Sequence, residues 1–400
     1  MTVEFDEAVL APDPERRRHV LDWLAAGLEA VDAERLTAEA LSSHVGGPAV
    51  VIAIGKAAPA MARGADAALE IVGGICVTEH VERVPKAMRL MVGDHPVPGD
   101  ASFFAGAAVL ETVAELPPNV DLVALVSGGG SALCESPREG VPIEFLSHVH
   151  ARLISSGADI EEINLVRSHL SALKAGGLAR AAGRPIGTFI ISDVGAAEPA
   201  VVASGPTIPV THDADAALEV LERLSIDVPD PIADAMRARL PDPPSSPITV
   251  LADGRDAARA VAAAAPGPAS VNARWLNGDL ATCLAAFLAG AETGVTVAAG
   301  EVTLEVTGTG WGGRDTHAAL LAAPYLGPND LFCTFATDGV DGSSDASGAI
   351  VDGSTILRGG DPAPALATFD SARYLAETSD LLRCPPTGTN VADLWIMWRR

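Results

Sequence analysis

The chain has 400 residues, 48% of them apolar, and carries 27 Lys and Arg against 52 Asp and Glu, a formal charge of −25. Apolar content on this scale excludes a disordered chain, and with no uninterrupted apolar run of about 18 residues a membrane span is not expected. The acidic excess opposes a phosphodiester backbone, so no nucleic-acid partner is expected, and the length suits two domains.

The opening segment lacks a basic region ahead of an apolar core, so no signal peptide is expected. Val20, Leu21, Leu24, Leu28 and Val31 then recur at helical spacing and predict a first helix, with Arg16, Arg17 and Arg18 on its solvated face. Short apolar runs follow at 49–54, 75–78, 122–126, 187–191, 248–252, 302–307 and 331–337, separated by Ala/Leu-rich helical patterns. Runs that are continuous rather than alternating suit strands covered on both faces, which predicts an α/β protein with a mainly parallel sheet.

Asp159 followed by Glu162 reads as the capped start of one helix of about twenty residues. The stretch 229–247 carries six prolines, which places a linker at 241–247 between domains of 1–240 and 248–400. The last segment is left free to pack back on the first domain. Five cysteines, Cys76, Cys134, Cys283, Cys333 and Cys384, are odd in number, widely spaced and free of any C-x-x-C pair. That pattern argues against a disulfide framework or zinc site and for a reducing, cytoplasmic setting.

In open α/β sheets ligands collect at the carboxyl ends of strands, so the residues after each run carry the functional reading. The run 122–126 enters Ser127-Gly128-Gly129-Gly130-Ser131 ahead of a helical stretch. Three glycines remove every Cβ and expose backbone N–H groups, the makings of a phosphate cradle. Lys56 ends the run 49–54 and offers a mobile positive charge, although no Walker A pattern surrounds it. On the helix expected from Asp159, Asn164, Arg167, Ser171 and Lys174 share one face, all donors or cations, which reads as a stripe facing an anion. Asp193 follows the run 187–191 and suits a proton acceptor or a Mg²⁺ ligand.

Ser204 lies in a small-residue turn, and His95 in a proline-braced loop that can equally touch substrate or serve as a turn. In the second half, Gly308, Gly310 and Gly313 formally satisfy G-x-G-x-x-G after a strand and before a helix, the argument for a dinucleotide site. Against it, Arg314 follows at once, and Asp338 with Asp341 forms an acidic turn better suited to a metal or to polyol hydroxyls. No G-x-S-x-G elbow occurs, which disfavours a serine hydrolase.

Taken together, segments 54–61, 93–102, 127–133, 163–179, 192–194, 203–209, 308–315, 336–348 and 387–394 resemble the glycerate 2-kinase family, with its C-terminal MOFRL module, in family order. The resemblance implies a Rossmann-like larger N-terminal domain, a smaller α/β module, and an active site in the cleft between them. It implies ATP- and Mg²⁺-dependent transfer of a phosphoryl group to the 2-hydroxyl of D-glycerate. Lys56 and Arg314 match the family's cationic positions and Asp193 its SDV aspartate; these three are the expected catalytic residues.

Ser127, Gly128, Gly129, Gly130, Ser131, Lys174, Asp338 and Asp341 are assigned to nucleotide and phosphate binding, His95, Arg167 and Ser204 to the acceptor, and Asp193 with Asp338 to metal. Phosphoryl transfer needs converging cations, a backbone anion cradle and carboxylates for a metal, and the sequence supplies all three. Asp315-Thr316-His317 after Arg314, Ser168, and Lys174-Ala175-Gly176-Gly177 depart from the family's usual pattern. They leave a related hydroxy acid or sugar acid open as acceptor. An NAD(P)-dependent hydroxypyruvate reductase and a ligand sensor without turnover are the alternatives, and a homodimer is left open.

Overall fold

The computed structural model describes residues 3–43, 46–155, 160–194, 199–210 and 213–400. Two compact units emerge, one from residues 33–191 and 197–251, the other from residues 1–32, 192–196 and 252–400. Asp159, expected to open a helix, lies outside the described residues.

The unit of 33–191 and 197–251 is built on β1 (Ala49–Ile54), β2 (Ile71–Thr78), β3 (Arg89–Val92), β4 (Asp121–Ser127), β5 (Gly187–Ile191) and β6 (Ile248–Ala252). They lie in the order β3-β2-β1-β4-β5-β6. The pairings of β1 with β2 and β4, of β2 with β3 and of β4 with β5 are parallel, as the continuous apolar runs predict. Every residue of β1 is buried, because helices cover both faces of its Val/Ile run. Strand order reverses between β1 and β4, and such a switch point opens a crevice at the carboxyl ends.

The expected linker is instead part of this unit. Thr188 N–H donates to Pro247 O (2.9 Å), Ile186 N–H donates to Ser246 Oγ (3.1 Å), and Gly176 sits against Pro243. Prolines here lay an extended segment beside β5 without needing donors of their own. The division falls at 251/252 rather than at 241–247.

The second sheet contains β7 (Ala269–Val271), β8 (Leu276–Asp279), β9 (Gly294–Thr303), β10 (Leu331–Ala336), β11 (Gly348–Asp352), β12 (Leu381–Leu382) and β13 (Asp393–Arg399). Its order is β12-β11-β10-β13-β9-β7, with β8 also on β9. Here the expectation of a parallel sheet fails: β9, β13, β10, β11 and β12 pair antiparallel in succession, and only β7 and β8 run parallel to β9. The run 302–307 is not a strand of its own, since β9 ends at Thr303. The last segment does not return to the first domain; β13 lies between β9 and β10, where Trp395 meets Phe287 and Phe332 with ring centroids 5.8 and 5.9 Å apart.

It is the opening segment that crosses over. The helix Pro14–Ala30, capped by Asp13, belongs with residues 252–400. Its Gly27 lets it approach the helix Gly254–Ala264, where a Cβ would stand 2.8 Å from Val261 Cγ2. Arg17 is not on a solvated face: it is 0% exposed, donates to Val9 O (2.9 Å), and is paired with Asp352 and Asp380. Of the three arginines, Arg18 is the one with a half-exposed side chain. Among the described residues no helix is long and apolar enough to cross a membrane, and all five cysteines are free thiols.

Candidate active site

Two loops leave adjacent strands at the switch point. Ile54 of β1 is paired in register with Val126 of β4, so Gly55-Lys56-Ala57 and Ser127-Gly128-Gly129-Gly130 emerge side by side. Lys56 N–H donates to Gly128 O (2.9 Å) and Ala57 N–H to Ser127 Oγ (3.0 Å). Gly55 has φ +122°, and a Cβ there would collide with the Ser127 carbonyl and hydroxyl. The Lys56 stem lies over Gly129, where a Cβ would stand 3.2 Å from Lys56 Cγ. The glycines therefore let a lysine cross the loop as well as opening its backbone. Ser127 and Gly128 are buried as ties between the loops, which leaves Gly129 and Ser131 as the loop's accessible part.

This packing gives a test. Gly55→Ala forces a left-handed residue and pushes Ser127 aside, an effect of about 1–3 kcal/mol from the backbone alone. Urea unfolding should show that loss together with reduced turnover, whereas Gly290→Ala, with open space around it, should change neither.

Beyond the end of β2, Glu79 joins the cluster. Its carboxylate is 4.0 Å from Lys56 Nζ and 3.9 Å from His95 Nδ1, so Lys56 and His95 share one acidic neighbour. Both side chains keep partial exposure, 20% and 31%.

The expected twenty-residue helix does not exist. The helix runs Ile160–Leu170, and the chain then turns through Ala175 (φ 48°) and Gly176 (φ 79°) before a short helix Gly177–Ala182. Asn164 and Arg167 stay on the helix face; Ser171 and Lys174 fall beyond it, and both are buried. Lys174 is not presented to a ligand. It is 1% exposed, is paired with Glu135, and donates to Ser131 O (3.0 Å). Glu135 also accepts from Ser171 Oγ and from Ser136 N–H (2.9 Å), and lies 3.4 Å from His150 Nε2.

Burial opposes charge on Glu135, yet Lys174 and His150 hold its carboxyl down at about 2. Burial pushes His150 down to about 4, so the imidazole is neutral at pH 7. In front of this brace, Ser131 Oγ and Ser204 Oγ are 2.6 Å apart, and Ser204 Oγ donates to Asn164 Oδ1 (2.7 Å). Ala203 and Ser204 both hold positive φ, 50° and 57°, backbone strain of the kind that gathers at functional sites.

In the unit of 252–400, Arg314 opens the helix Arg314–Ala322. Its Nε and Nη2 donate to the Asp393 carboxylate (2.5 and 3.0 Å), and Nη1 donates to Glu301. Although burial opposes the charge, Asp393 and Glu301 keep the guanidinium well above its usual range. Burial pushes Asp393 up to about 6 despite Arg314, with Glu301 and Asp338 adding to the rise. Asp315, buried beside Asp393 and Asp341, is raised well above the usual carboxylate range.

The acidic turn is divided between two tasks. Asp341 is 2% exposed, and its oxygens accept from Asp315 N–H (3.0 Å) and Thr316 N–H (2.8 Å), so it caps the Arg314 helix instead of meeting nucleotide. Asp338 is half-buried and accepts from Val340 N–H (3.0 Å) within its own turn. The formal dinucleotide fingerprint dissolves in the same way. Gly308 and Gly310 pack against the backbone of Thr368 and Phe369, and Gly313 makes room for the Asp341 carboxylate. These glycines serve close packing, and four residues separate Gly308 from the end of β9.

Asp193 lies half-buried two residues past β5. Among the described residues no group of three or more His, Cys, Asp or Glu is placed to hold a metal. Glu79, Glu135, Glu301 and Asp393 are site residues that sequence reasoning did not single out. Glu135 stands four positions after Ser131, directly behind the apolar Ala132-Leu133-Cys134, and that was the available signal.

A parallel sheet with paired anion-suited loops at its switch point, joined to a second α/β unit, defines the architecture. Residues 19–237 match the family described as "Domain of unknown function (DUF4147)", and residues 285–393 match the MOFRL family. The D-glycerate 2-kinase of Thermotoga maritima is 34% identical over 96% of this chain and 99% of its own. An Agrobacterium vitis protein, provisionally named a hydroxypyruvate reductase, is 34% identical over 87% of this chain and 98% of its own. The crystal structure of a Thermotoga maritima glycerate kinase superposes with a TM-score of 0.86 at 31% identity, covering 97% of this chain and all of that one. The chain belongs to the glycerate 2-kinase family.

Proposed function

We propose that the protein is a D-glycerate 2-kinase. The acceptor's 2-hydroxyl oxygen attacks the γ-phosphorus of ATP, a new O–P bond forms as the bond to the β-phosphate oxygen breaks, and the hydroxyl proton passes to a carboxylate. The products are 2-phospho-D-glycerate and ADP. The observation that carries this reading is Lys56 lying across the glycine loop where β1 and β4 diverge. A loose phosphoryl transition state is stabilised by fixed cations and backbone donors, and this arrangement supplies both. The order β3-β2-β1-β4-β5-β6 supports a Rossmann-like mononucleotide site at that point.

Lys56 and Arg314 are the proposed charge-stabilising residues, Asp193 the proton acceptor, Gly129 and Ser131 the phosphate contacts, and His95, Arg167 and Ser204 the acceptor side. The donor set fits a Mg²⁺ that arrives on the nucleotide, because such an ion keeps waters and phosphate oxygens and needs only one or two carboxylates; Asp193 and Asp338 are the candidates. When bound, the ion neutralises charge on the phosphates. The reductase reading loses its support because its glycines are used for packing.

Phosphorus NMR of purified protein with ATP, Mg²⁺ and D-glycerate should show 2-phosphoglycerate. Failure to phosphorylate any short 2-hydroxy acid, or nicotinamide oxidation by hydroxypyruvate without ATP, would overturn the assignment.

A further inference from the structure

Among the described residues the buried charges behind the serine loop do not balance. Arg167 is 7% exposed, Lys174 1%, Glu135 0% and His150 0%. The Glu135 oxygens accept from Lys174, Ser171 and the Ser136 N–H, and among the described residues Arg167 makes no hydrogen bond to them. Among the described residues Arg167 Nε has no hydrogen-bond partner, and the guanidinium feels Glu135 only through space. Among the described residues two basic side chains, Arg167 and Lys174, face the single carboxylate of Glu135. An uncompensated buried cation is costly to keep, and its retention points to an anion that arrives from outside.

Arg167 lies one helical turn from Asn164, on the same face, and Asn164 is bonded to Ser204 and through it to Ser131. A planar guanidinium matches a carboxylate with two parallel hydrogen bonds, and the hydroxyls beside it suit a polyhydroxy acid.

Resting on the kinase reading, we infer that Arg167 is the receptor for the acceptor's carboxylate, and that this site admits a single negative charge and so selects short hydroxy monocarboxylates over diacids. Lys174 and Glu135 hold the receptor in place and do not touch the ligand.

Steady-state kinetics and calorimetry on Arg167→Met and Arg167→Lys test this. In Arg167→Met the KM for D-glycerate should rise roughly 30- to 100-fold, in the range for a lost charged hydrogen-bond pair, with the KM for ATP unchanged. Turnover of the uncharged acceptor D-glyceramide should be equal in wild type and Arg167→Met, and tartronate, the diacid analogue, should compete poorly with D-glycerate in wild type. Because an unpaired buried charge has been removed, the ligand-free Met variant should melt at or above the wild-type temperature.

A lower melting temperature with an unchanged KM would make Arg167 a structural counter-ion of Glu135 and overturn the inference. So would a Met variant that does not fold beside a Lys variant of normal KM. Should the wild type bind D-glycerate without phosphorylating it, and Arg167→Met not bind it, the kinase reading falls while the receptor stands. If the wild type binds no D-glycerate, both fall.

Discussion

Lys56→Ala should lower kcat at least about a hundredfold while the protein stays folded. The stem of Lys56 crosses Gly129, its backbone N–H is fixed by Gly128, and its ammonium stands 4.0 Å from the Glu79 carboxylate. A partly exposed pair at that distance contributes little to stability, so the melting temperature should barely move. The charge is placed where backbone donors already converge, so its loss should fall on the transition state, not on ground-state affinity. Lys56→Met, which keeps most of the stem, should be nearly as slow. Turnover within tenfold of wild type in either variant would remove Lys56 from the proposed machinery.

The second large effect is expected from Arg314→Ala, and here function and stability should fall together. Removing the guanidinium leaves Asp393, 2% exposed and close to the buried Asp315, without its cation. Breaking a fully buried pair from one side costs about 3–5 kcal/mol; with the Arg314 side chain 32% exposed the loss should be smaller, and denaturant unfolding should register it. A fall in kcat of a hundredfold or more should accompany the instability, with Arg314→Lys intermediate because it keeps charge but loses the fork. A variant of normal kcat would separate the helix terminus from catalysis.

The same pair gives a pH dependence. With the native Asp393 carboxyl up at about 6 and an unfolded value of about 3.9, the folded state binds a proton that the unfolded chain does not hold between those values. Lowering pH through about 6 should therefore release Arg314 and slow turnover, while this group's contribution to stability rises, since it is raised groups that lose stability as pH increases.

Much of the first sheet could be read directly. The strands β1, β5 and β6 have the bounds of their apolar runs; in the central β1 burial on both faces writes the uninterrupted pattern, whereas the edge strand β6 keeps an apolar run although its first three residues are exposed. The second sheet was harder, since β9 carries Gly300, which must lack a side chain for Leu276 of β8 to approach, and a glycine in mid-strand weakens the apolar signal.

The site divided similarly. Lys56 and the glycine loop follow from local strand-to-turn chemistry. The task of Lys174 depends on Glu135, 39 positions earlier, and that of Asp341 on a helix start 26 positions earlier, partnerships that no local pattern announces. A cation and a carboxylate that neutralise each other inside the protein look, in sequence, the same as two that wait for a ligand.

The placement of the opening helix imposes a schedule on biosynthesis. Arg17 leaves the ribosome 363 residues ahead of Asp380, one of the two carboxylates paired with it. By Ala252 all six strands of the first sheet have been made, so that body can assemble while the helix still shows Trp23 and its apolar stripe to water. The mixed sheet can close only after Asp393–Arg399 is released, and until then the newborn chain carries an amphipathic segment whose apolar stripe has nothing to pack against.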